Sequence, residues 1–149
     1  MNIVDKAECL ALKAHFNHVN NHDGEPYVLH LQRVYISTRD SGLSEVHQAV
    51  AWLHDSIEDT AVTFEDIMTD LGENEITAQI IVGVRGITKI PGVSNQEYYN
   101  RVSMNPVAKA VKIHDLHDNF GRNHLIEDET TRLRMAKKYS LGISMLTKS

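Results

Sequence analysis

The sequence predicts an all-α fold, and three observations carry this prediction. Apolar residues recur at intervals of three and four positions along nearly the whole chain, which is the spacing of amphipathic helices. Short runs rich in Asn, Asp, Gly and Pro, which are turn formers, separate the helical stretches. The best strand candidate is QIIVGV (79–84), but the preceding EITA favours extension of a helix. We therefore predict a bundle of about seven to eight helices that forms a single domain over residues 1–149.

In the first half of the chain, apolar periodicity predicts three helices that lead to an acidic motif. The first two are separated by the loop VNNHDGEPY, and Pro26 suits the first turn of the second helix, near His30. Ser44 is a suitable N-cap for the third helix. These helices are predicted over about 2–18, 26–39 and 44–54.

Five more helices are predicted in the second half. Thr63 and Asp66 form a capping pattern, and Gly72 is a suitable stop for the helix that they begin. The loop GITKIPGVSN interrupts the pattern, and Pro106 begins a new helix. The five helices are predicted over about 63–71, 74–87, 96–104, 106–118 and 130–146.

Composition and charge argue against a nucleic-acid partner and against a membrane. The net charge is -5 and the chain has no Lys/Arg block, so its field does not favour a polyanion such as duplex DNA, although a local pocket for a small anion is allowed. No apolar run approaches the roughly 20 residues of a membrane span. The N-terminal segment carries Asp5 and Glu8 within its apolar pattern, unlike a signal peptide, and the lone Cys9 suggests a small apolar contact on a helix. We therefore expect a cytoplasmic protein.

The segment HDSIEDT (54–60) places an imidazole and three carboxylates within six consecutive positions. On a continuous helix, at about 100° per residue, these four side chains share one broad face. Joint ionisation of three acids in a cleft is unfavourable unless a cation or a shared proton offsets it, and a divalent metal is the simpler solution. The alternative is a solvated helix end with a capping histidine. The four residues are His54, Asp55, Glu58 and Asp59.

Two residues on other predicted helices favour the metal. His30 lies in PYVLH on a preceding helix, and Asp115 lies in VKIHDLHDN on a later one. Alone, each is more often a core or capping histidine, or a surface acid. Combined with His54 and Asp55, they indicate a metal site.

Four segments, in this order and spacing, resemble the hydrolase domain of RelA/SpoT enzymes within the HD phosphohydrolase superfamily. They are GEPYVLH (24–30), HDSIEDT (54–60), ITK (87–89) and AVKIHDLHDN (110–119). The similarity is greatest to the small stand-alone alarmone hydrolases related to the metazoan SpoT homologue, and it covers about residues 5–146. The resemblance implies an HD-domain helical bundle that cleaves the 3′-diphosphate of (p)ppGpp and releases pyrophosphate with GDP or GTP.

The resemblance also implies roles for individual residues. One divalent ion, usually manganese in this family, would be bound by His30, His54, Asp55 and Asp115. Glu58 and Asp59 match the acidic pair that acts in hydrolysis, where a carboxylate orients and deprotonates the attacking water. Lys89 and Asn119 match residues that face the substrate. The last helix of the family contributes an Arg and a Tyr to the nucleotide, which here are Tyr139 and either Arg132 or Arg134.

The chain departs from the family pattern near the substrate. Alarmone hydrolases usually carry an Arg-Lys pair before GEPY, where this chain has Asn21 and His22. Loss of two cations removes charge-assisted hydrogen bonds worth about 1.5–3 kcal/mol each, and His22 replaces part of this only when it is protonated. His114 stands where the family commonly has Ala. Three interpretations of this extra imidazole are open: it supports the metal ligands, it is a further ligand, or it is a core residue.

These departures leave three functions open. The first is a manganese-dependent alarmone 3′-pyrophosphohydrolase, and the second is an HD phosphohydrolase that acts on the 2′-phosphate of NADPH, on a nucleoside monophosphate or on a cyclic nucleotide. The third is a nucleotide sensor without turnover, against which the acidic pair Glu58 and Asp59 argues. In each case the partner is a small nucleotide, and the sequence does not specify an oligomeric state.

Overall fold

The computed structural model describes residues 1–148, and over that range it contains helices and no strand, as predicted. QIIVGV lies inside a helix. The helices are α1 (Ile3–Ala14), α2 (Tyr27–Asp40), α3 (Glu45–Leu53), α4 (Ser56–Asp59), α5 (Phe64–Leu71), α6 (Glu75–Ile87), α7 (Asn95–Ser103), α8 (Pro106–Gly121) and α9 (Glu129–Thr147), with a 3₁₀ turn at Asn123–Leu125. All eight predicted helices are present, and the single turn α4 is additional.

Side-chain caps account for several of the helix boundaries. Thr63 and Asp66 form a reciprocal capping box at the start of α5, and Gly72 ends this helix with a φ of 100°. Ser44 accepts a hydrogen bond from the His47 amide at the start of α3. The predicted first helix was too long, because Asn17 adopts a φ of 66° that a right-handed helix does not allow.

Helix α3 lies at the centre of the hydrophobic core. Its residues 49–53 are at most 2% exposed, and it contacts α1, α2, α6 and α8. A helix that is apolar on nearly all sides is stable only when other helices surround it. His54, the residue that follows the C-terminal end of α3, therefore lies in the protein interior and is 1% exposed.

Cys9 lies on the exposed side of α1 rather than in the core, and its sulfur is 3.9 Å from that of Met1. Within residues 1–148, no helix combines the length and the apolar character needed to cross a membrane.

The close packing of α9 on α7 and α8 predicts a large effect of a small substitution. A Cβ atom at Gly142 would lie 2.7 Å from Tyr99 Cζ and 2.8 Å from Leu116 Cδ1, so Gly142→Ala should lower the free energy of unfolding by about 1–3 kcal/mol. Gly121→Ala is the matched control, because no described atom lies within 4 Å of its Cβ position. Urea unfolding measures both, and equal stability of the two variants would contradict the packing described.

Candidate metal centre and cleft

The acidic motif lies at a break between two helices rather than on one continuous helix. Helix α3 ends at Leu53, and Asp55 has a φ of -104° and a ψ of 0°, which interrupts the helical path before α4 begins at Ser56. The predicted single helical face was therefore wrong. The break turns Asp55 toward the interior beside His54, while the next turn brings Glu58 and Asp59 to the surface.

Four potential metal ligands from three parts of the chain meet behind this break. His30 comes from α2, His54 and Asp55 from the break, and Asp115 from α8; one ligand atom from each lies within 4.8 Å of the other three. His30 Nε2 is 2.7 Å and His54 Nε2 is 3.2 Å from Asp115 Oδ1, and His54 Nε2 is 3.0 Å from Asp55 Oδ2. These are the four residues that the sequence predicted to lie together.

The orientation of the two imidazoles fits a divalent ion. His30 Nδ1 lies 2.6 Å from Asp118 Oδ2, and His54 Nδ1 lies 2.7 Å from the carbonyl oxygen of Ala51. With each Nδ1 engaged, both Nε2 atoms point toward Asp115. An imidazole that donates its other N–H to a carboxylate or a carbonyl is the usual arrangement at metal sites, and a set of two imidazoles and two carboxylates suits a divalent transition metal.

The buried acids of this cluster are held in their ionised form. Burial alone would raise the pKa of Asp115, but Lys112 and the two imidazoles keep it well below its usual value. The Nζ atom of Lys112 lies 2.8 Å from Asp115 Oδ2. Burial likewise lowers the pKa of His54, but Asp55 and Asp115 outweigh this effect and raise it well above its usual value. Without a metal ion, the negative charges of Asp55 and Asp115 are balanced by Lys112 and by the imidazoles of His30 and His54.

An ion-pair network supports the cluster from outside. Arg33 Nε lies 2.8 Å from Asp118 Oδ1, and Arg33 Nη1 lies 2.7 Å from Glu25 Oε1. Arg122 extends the network, at 2.9 Å from Asp23 Oδ2. The network ties the loop before α2 to α8 and fixes the carboxylate that orients His30. These roles were not predicted from the sequence, in which Glu25 was noted only as part of the GEPY segment.

Tyr27 connects the cluster to an aromatic stack. Its hydroxyl donates a hydrogen bond to Asp55 Oδ2, and its ring stacks on His18 with 4.3 Å between centroids. The His15 ring lies 5.2 Å from that of Tyr27, and burial lowers its pKa to about 4. Tyr27, the first residue of α2, therefore links the Asp55 carboxylate to the histidines that follow α1 and limits its freedom.

A polar cleft of about 600 Å³ opens beside the cluster. Asn119, on its wall, has its Nδ2 atom 3.3 Å from Asp115 Oδ1, so the cleft reaches the candidate ligands. The residues that line the polar cleft are His18, Asn20, Asn21, His22, Tyr27, Glu58, Asp59, Asn119, Lys138 and Tyr139. A second cleft, of about 540 Å³, is lined by Ile57, Glu58, Asp59, Thr88, Lys89, Pro91, Gly92 and Val93.

The carboxylates of Glu58 and Asp59 lie where the two clefts meet. Partial burial, with Asp55 and Glu58 adding to it, raises the pKa of Asp59 to about 6. Burial also raises the pKa of Glu58, whose Oε1 accepts a hydrogen bond of 2.5 Å from the Lys89 amide. A carboxylate that titrates near pH 6 is well suited to accept a proton at neutral pH.

Only some of the residues predicted to contact a substrate line these clefts. His22, Asn119 and Tyr139 line the polar cleft, and Lys89 lines the second cleft, where its Nζ donates to Asn95 at 2.9 Å. His114 lies apart from the four ligands, with its Nδ1 2.6 Å from Ser37 Oγ.

Neither candidate arginine of α9 lines either cleft. Arg134 lines a separate surface groove with Leu133, because five helical residues turn it about 140° away from Tyr139. Arg132 shares the face of Tyr139 but lies about two turns away, and its Nη1 donates to the carbonyl oxygen of Ile126 at 3.1 Å. The cation of α9 that lines the polar cleft is Lys138, which was not among the site residues predicted from the sequence.

Comparison with known proteins identifies relatives and a similar fold. No protein-family model matches the chain. It is 32% identical over 120 residues to a guanosine-3′,5′-bis(diphosphate) 3′-pyrophosphohydrolase of Aquifex aeolicus, covering 77% of this chain and 17% of that protein. It is 33% identical over 96 residues to a probable enzyme of the same name from Synechocystis sp., covering 64% of this chain and 12% of that protein. The chain thus spans less than a fifth of the length of these relatives.

A solved structure has the same fold. The structure of a metazoan orthologue of SpoT, described as hydrolysing ppGpp, matches with a TM-score of 0.75 at 22% identity, over 96% of this chain and 86% of that one. This match confirms the all-α fold. With the two sequence relatives, it also confirms the predicted resemblance to SpoT-type hydrolases.

The contact between Asp118 and His30 predicts a change in metal affinity. Asp118→Asn removes the charge that orients His30 Nδ1, and the loss of such a partner typically weakens metal binding about 10- to 100-fold. Calorimetric titration with a divalent ion measures this, with the exposed Asp40→Asn as the matched control. Unchanged metal affinity in Asp118→Asn would show that His30 needs no such partner.

Proposed function

We propose that the chain is a metal-dependent phosphohydrolase that removes the 3′-diphosphate from guanosine-3′,5′-bis(diphosphate) and its 5′-triphosphate analogue, releasing pyrophosphate with GDP or GTP. The observation that carries this proposal is the meeting of a four-ligand cluster with two carboxylates of raised pKa at a polar cleft. The names of the two relatives and the description of the similar structure support the choice of substrate. A soluble nucleotide substrate accords with the cytoplasmic location expected from the sequence.

In this proposal the cofactor is one manganese ion, and residues 1–149 act as one HD domain. His30, His54, Asp55 and Asp115 would hold the ion, because their nitrogen and oxygen donors are a set that manganese accepts. When bound, such an ion lowers the pKa of a water ligand and neutralises charge on phosphoryl oxygens.

The proton transfer is assigned to the acidic pair. Asp59, with its pKa near 6, is ionised at neutral pH and accepts a proton from the attacking water. Glu58 is held by the Lys89 amide, so its carboxylate has a fixed position from which it orients that water. Both side chains lie on the cleft wall, within reach of a bound nucleotide.

Binding of the nucleotide is assigned to the polar cleft and its neighbour. Asn119 and Tyr139 line the polar cleft near the cluster, and His22 lies on the loop that borders it. Lys89 is positioned to contact the nucleotide from the second cleft. Arg132 and Arg134 receive no role in this proposal, because neither lines a cleft that Glu58 and Asp59 share.

A second candidate keeps the reaction and changes the nucleotide. Asn21 and His22 line the polar cleft where alarmone hydrolases have two cations, and the loss of those two fixed charges suits a less highly charged phosphoester. The 2′-phosphate of NADPH, a nucleoside monophosphate and a cyclic nucleotide belong to this class.

A substrate panel separates these candidates. Purified protein with Mn²⁺ is incubated with ppGpp, NADPH, a nucleoside monophosphate and a cyclic nucleotide, and the released species is identified by chromatography. We expect pyrophosphate and GDP from ppGpp, with little product from the other nucleotides. Orthophosphate from NADPH without pyrophosphate from ppGpp would overturn the alarmone proposal in favour of the second candidate.

Variants of the motif test the division of roles. Asp59→Asn and Glu58→Gln should each lower kcat about 100-fold or more, because the water loses its base or its orientation, while metal content measured by elemental analysis stays unchanged. Asp55→Ala should lose both the metal and turnover. The exposed Asp70→Asn serves as the control for removal of one negative charge.

The pH profile of the same variants checks the assignment of the base. Without a cation the pKa of Asp59 is raised to about 6, and a bound cation lowers it. Since Asp59 acts only when ionised, kcat/KM of the Mn²⁺-loaded protein should rise with pH along a limb that lies below about 6. The limb should be absent from the residual activity of Asp59→Asn. Full activity in both Asp59→Asn and Glu58→Gln would exclude the proposed roles.

A further inference from the structure

The polar cleft contains one lysine for which the fold provides no acidic partner. Three lysines lie around the cluster, one on each of three segments. Lys112 pairs with Asp115, and Lys89 donates to Asn95. Lys138, on α9, lines the polar cleft, and within the described part of the chain no side-chain hydrogen bond engages its ammonium group.

The acids that line the polar cleft leave the ammonium group of Lys138 without an ion pair. Glu58 and Asp59 line the same cleft, yet neither forms a salt bridge with Lys138. Burial lowers the pKa of Lys138, and the positive charges of Lys112 and Lys89 lower it further, while Asp115 and Glu58 raise it. An anion bound beside Lys138 would offset both the burial and the repulsion from the other two lysines.

The loop before α2 brings no lysine or arginine to the polar cleft. Its residues Asn20, Asn21 and His22 line the cleft, and their amides and imidazole carry no fixed positive charge. A diphosphate near the cluster therefore needs a cation from another element. Lys138 precedes Tyr139 on α9 and is the residue of that helix that brings a positive charge into the cleft.

We propose that Lys138 binds the terminal phosphate of the substrate's 3′-diphosphate and thereby sets the preference of the cleft for a diphosphate over a monophosphate. This inference rests on the proposed function, since it takes the diphosphate ester as substrate. In this inference Lys138 on α9 provides the positive charge that alarmone hydrolases provide with the Arg-Lys pair before GEPY. Selectivity follows because the charge-assisted hydrogen bond forms only when the second phosphate is present.

The test compares Lys138→Gln with Lys137→Gln. Lys137 is the adjacent lysine and lines the separate surface groove of α9, so its variant removes an equal charge without touching the polar cleft. The substrates are ppGpp and its analogue with a single phosphate at the 3′ position. For ppGpp, Lys138→Gln should raise KM about tenfold to a hundredfold, whereas KM for the 3′-monophosphate should change less than threefold. Lys138→Arg should restore most of the loss, and Lys137→Gln should behave as wild type.

A binding measurement separates failure of this inference from failure of the proposed function. If wild-type protein releases no pyrophosphate from ppGpp, the proposed function fails, and calorimetric binding of inorganic pyrophosphate then tests Lys138 directly. Weaker binding in Lys138→Gln than in wild type and Lys137→Gln supports the inference. Equal affinity in all three proteins, or equal KM effects on both substrates, overturns it. Urea unfolding checks that each variant is folded, and Lys138→Met replaces Lys138→Gln if the latter is not.

Discussion

The arrangement of this protein depends on the carboxylate of Asp115, which is 2% exposed and faces two imidazoles and an ammonium group. A buried charge without partners is costly, so the fold must place charged or polar partners around it. His30 arrives on α2, His54 at the end of α3, and Lys112 lies one turn earlier on α8. The core packing of α3 against α2 and α8 is what makes these positions compatible.

From this centre, charge alternates outward through the structure. Asp118 orients His30, and Arg33 forms ion pairs with both Asp118 and Glu25. The pair with Glu25 fixes the loop that borders the polar cleft. On the other side, Asp55 is held by Tyr27. The ligands are thus positioned by groups other than Glu58 and Asp59, and this leaves the acidic pair beyond α3 free for chemistry.

The helices could be predicted from the sequence because amphipathic spacing is a local signal. The four-ligand cluster joins residues that are far apart in the chain, and it could be predicted because the segments that carry them together resemble those of a known family. The helix break at Asp55 could not be predicted, since His-Asp-Ser-Ile-Glu-Asp contains neither Gly nor Pro, the residues that usually signal a break. The sequence also did not indicate that Lys138, rather than Arg132 or Arg134, is the cation with which α9 lines the polar cleft. The rotation of α9 about its axis depends on which of its faces packs, and that face is defined by the buried residues Tyr139, Gly142 and Leu146. The position of Lys138 follows only once that rotation is known.

We propose that these four side chains bind one divalent ion beside the acidic pair. Anomalous diffraction at the manganese edge, from crystals grown with Mn²⁺, would locate that ion. We expect one strong peak within bonding distance of His30, His54, Asp55 and Asp115. A strong peak elsewhere with none at this cluster, in protein that hydrolyses its substrate with Mn²⁺, would contradict it.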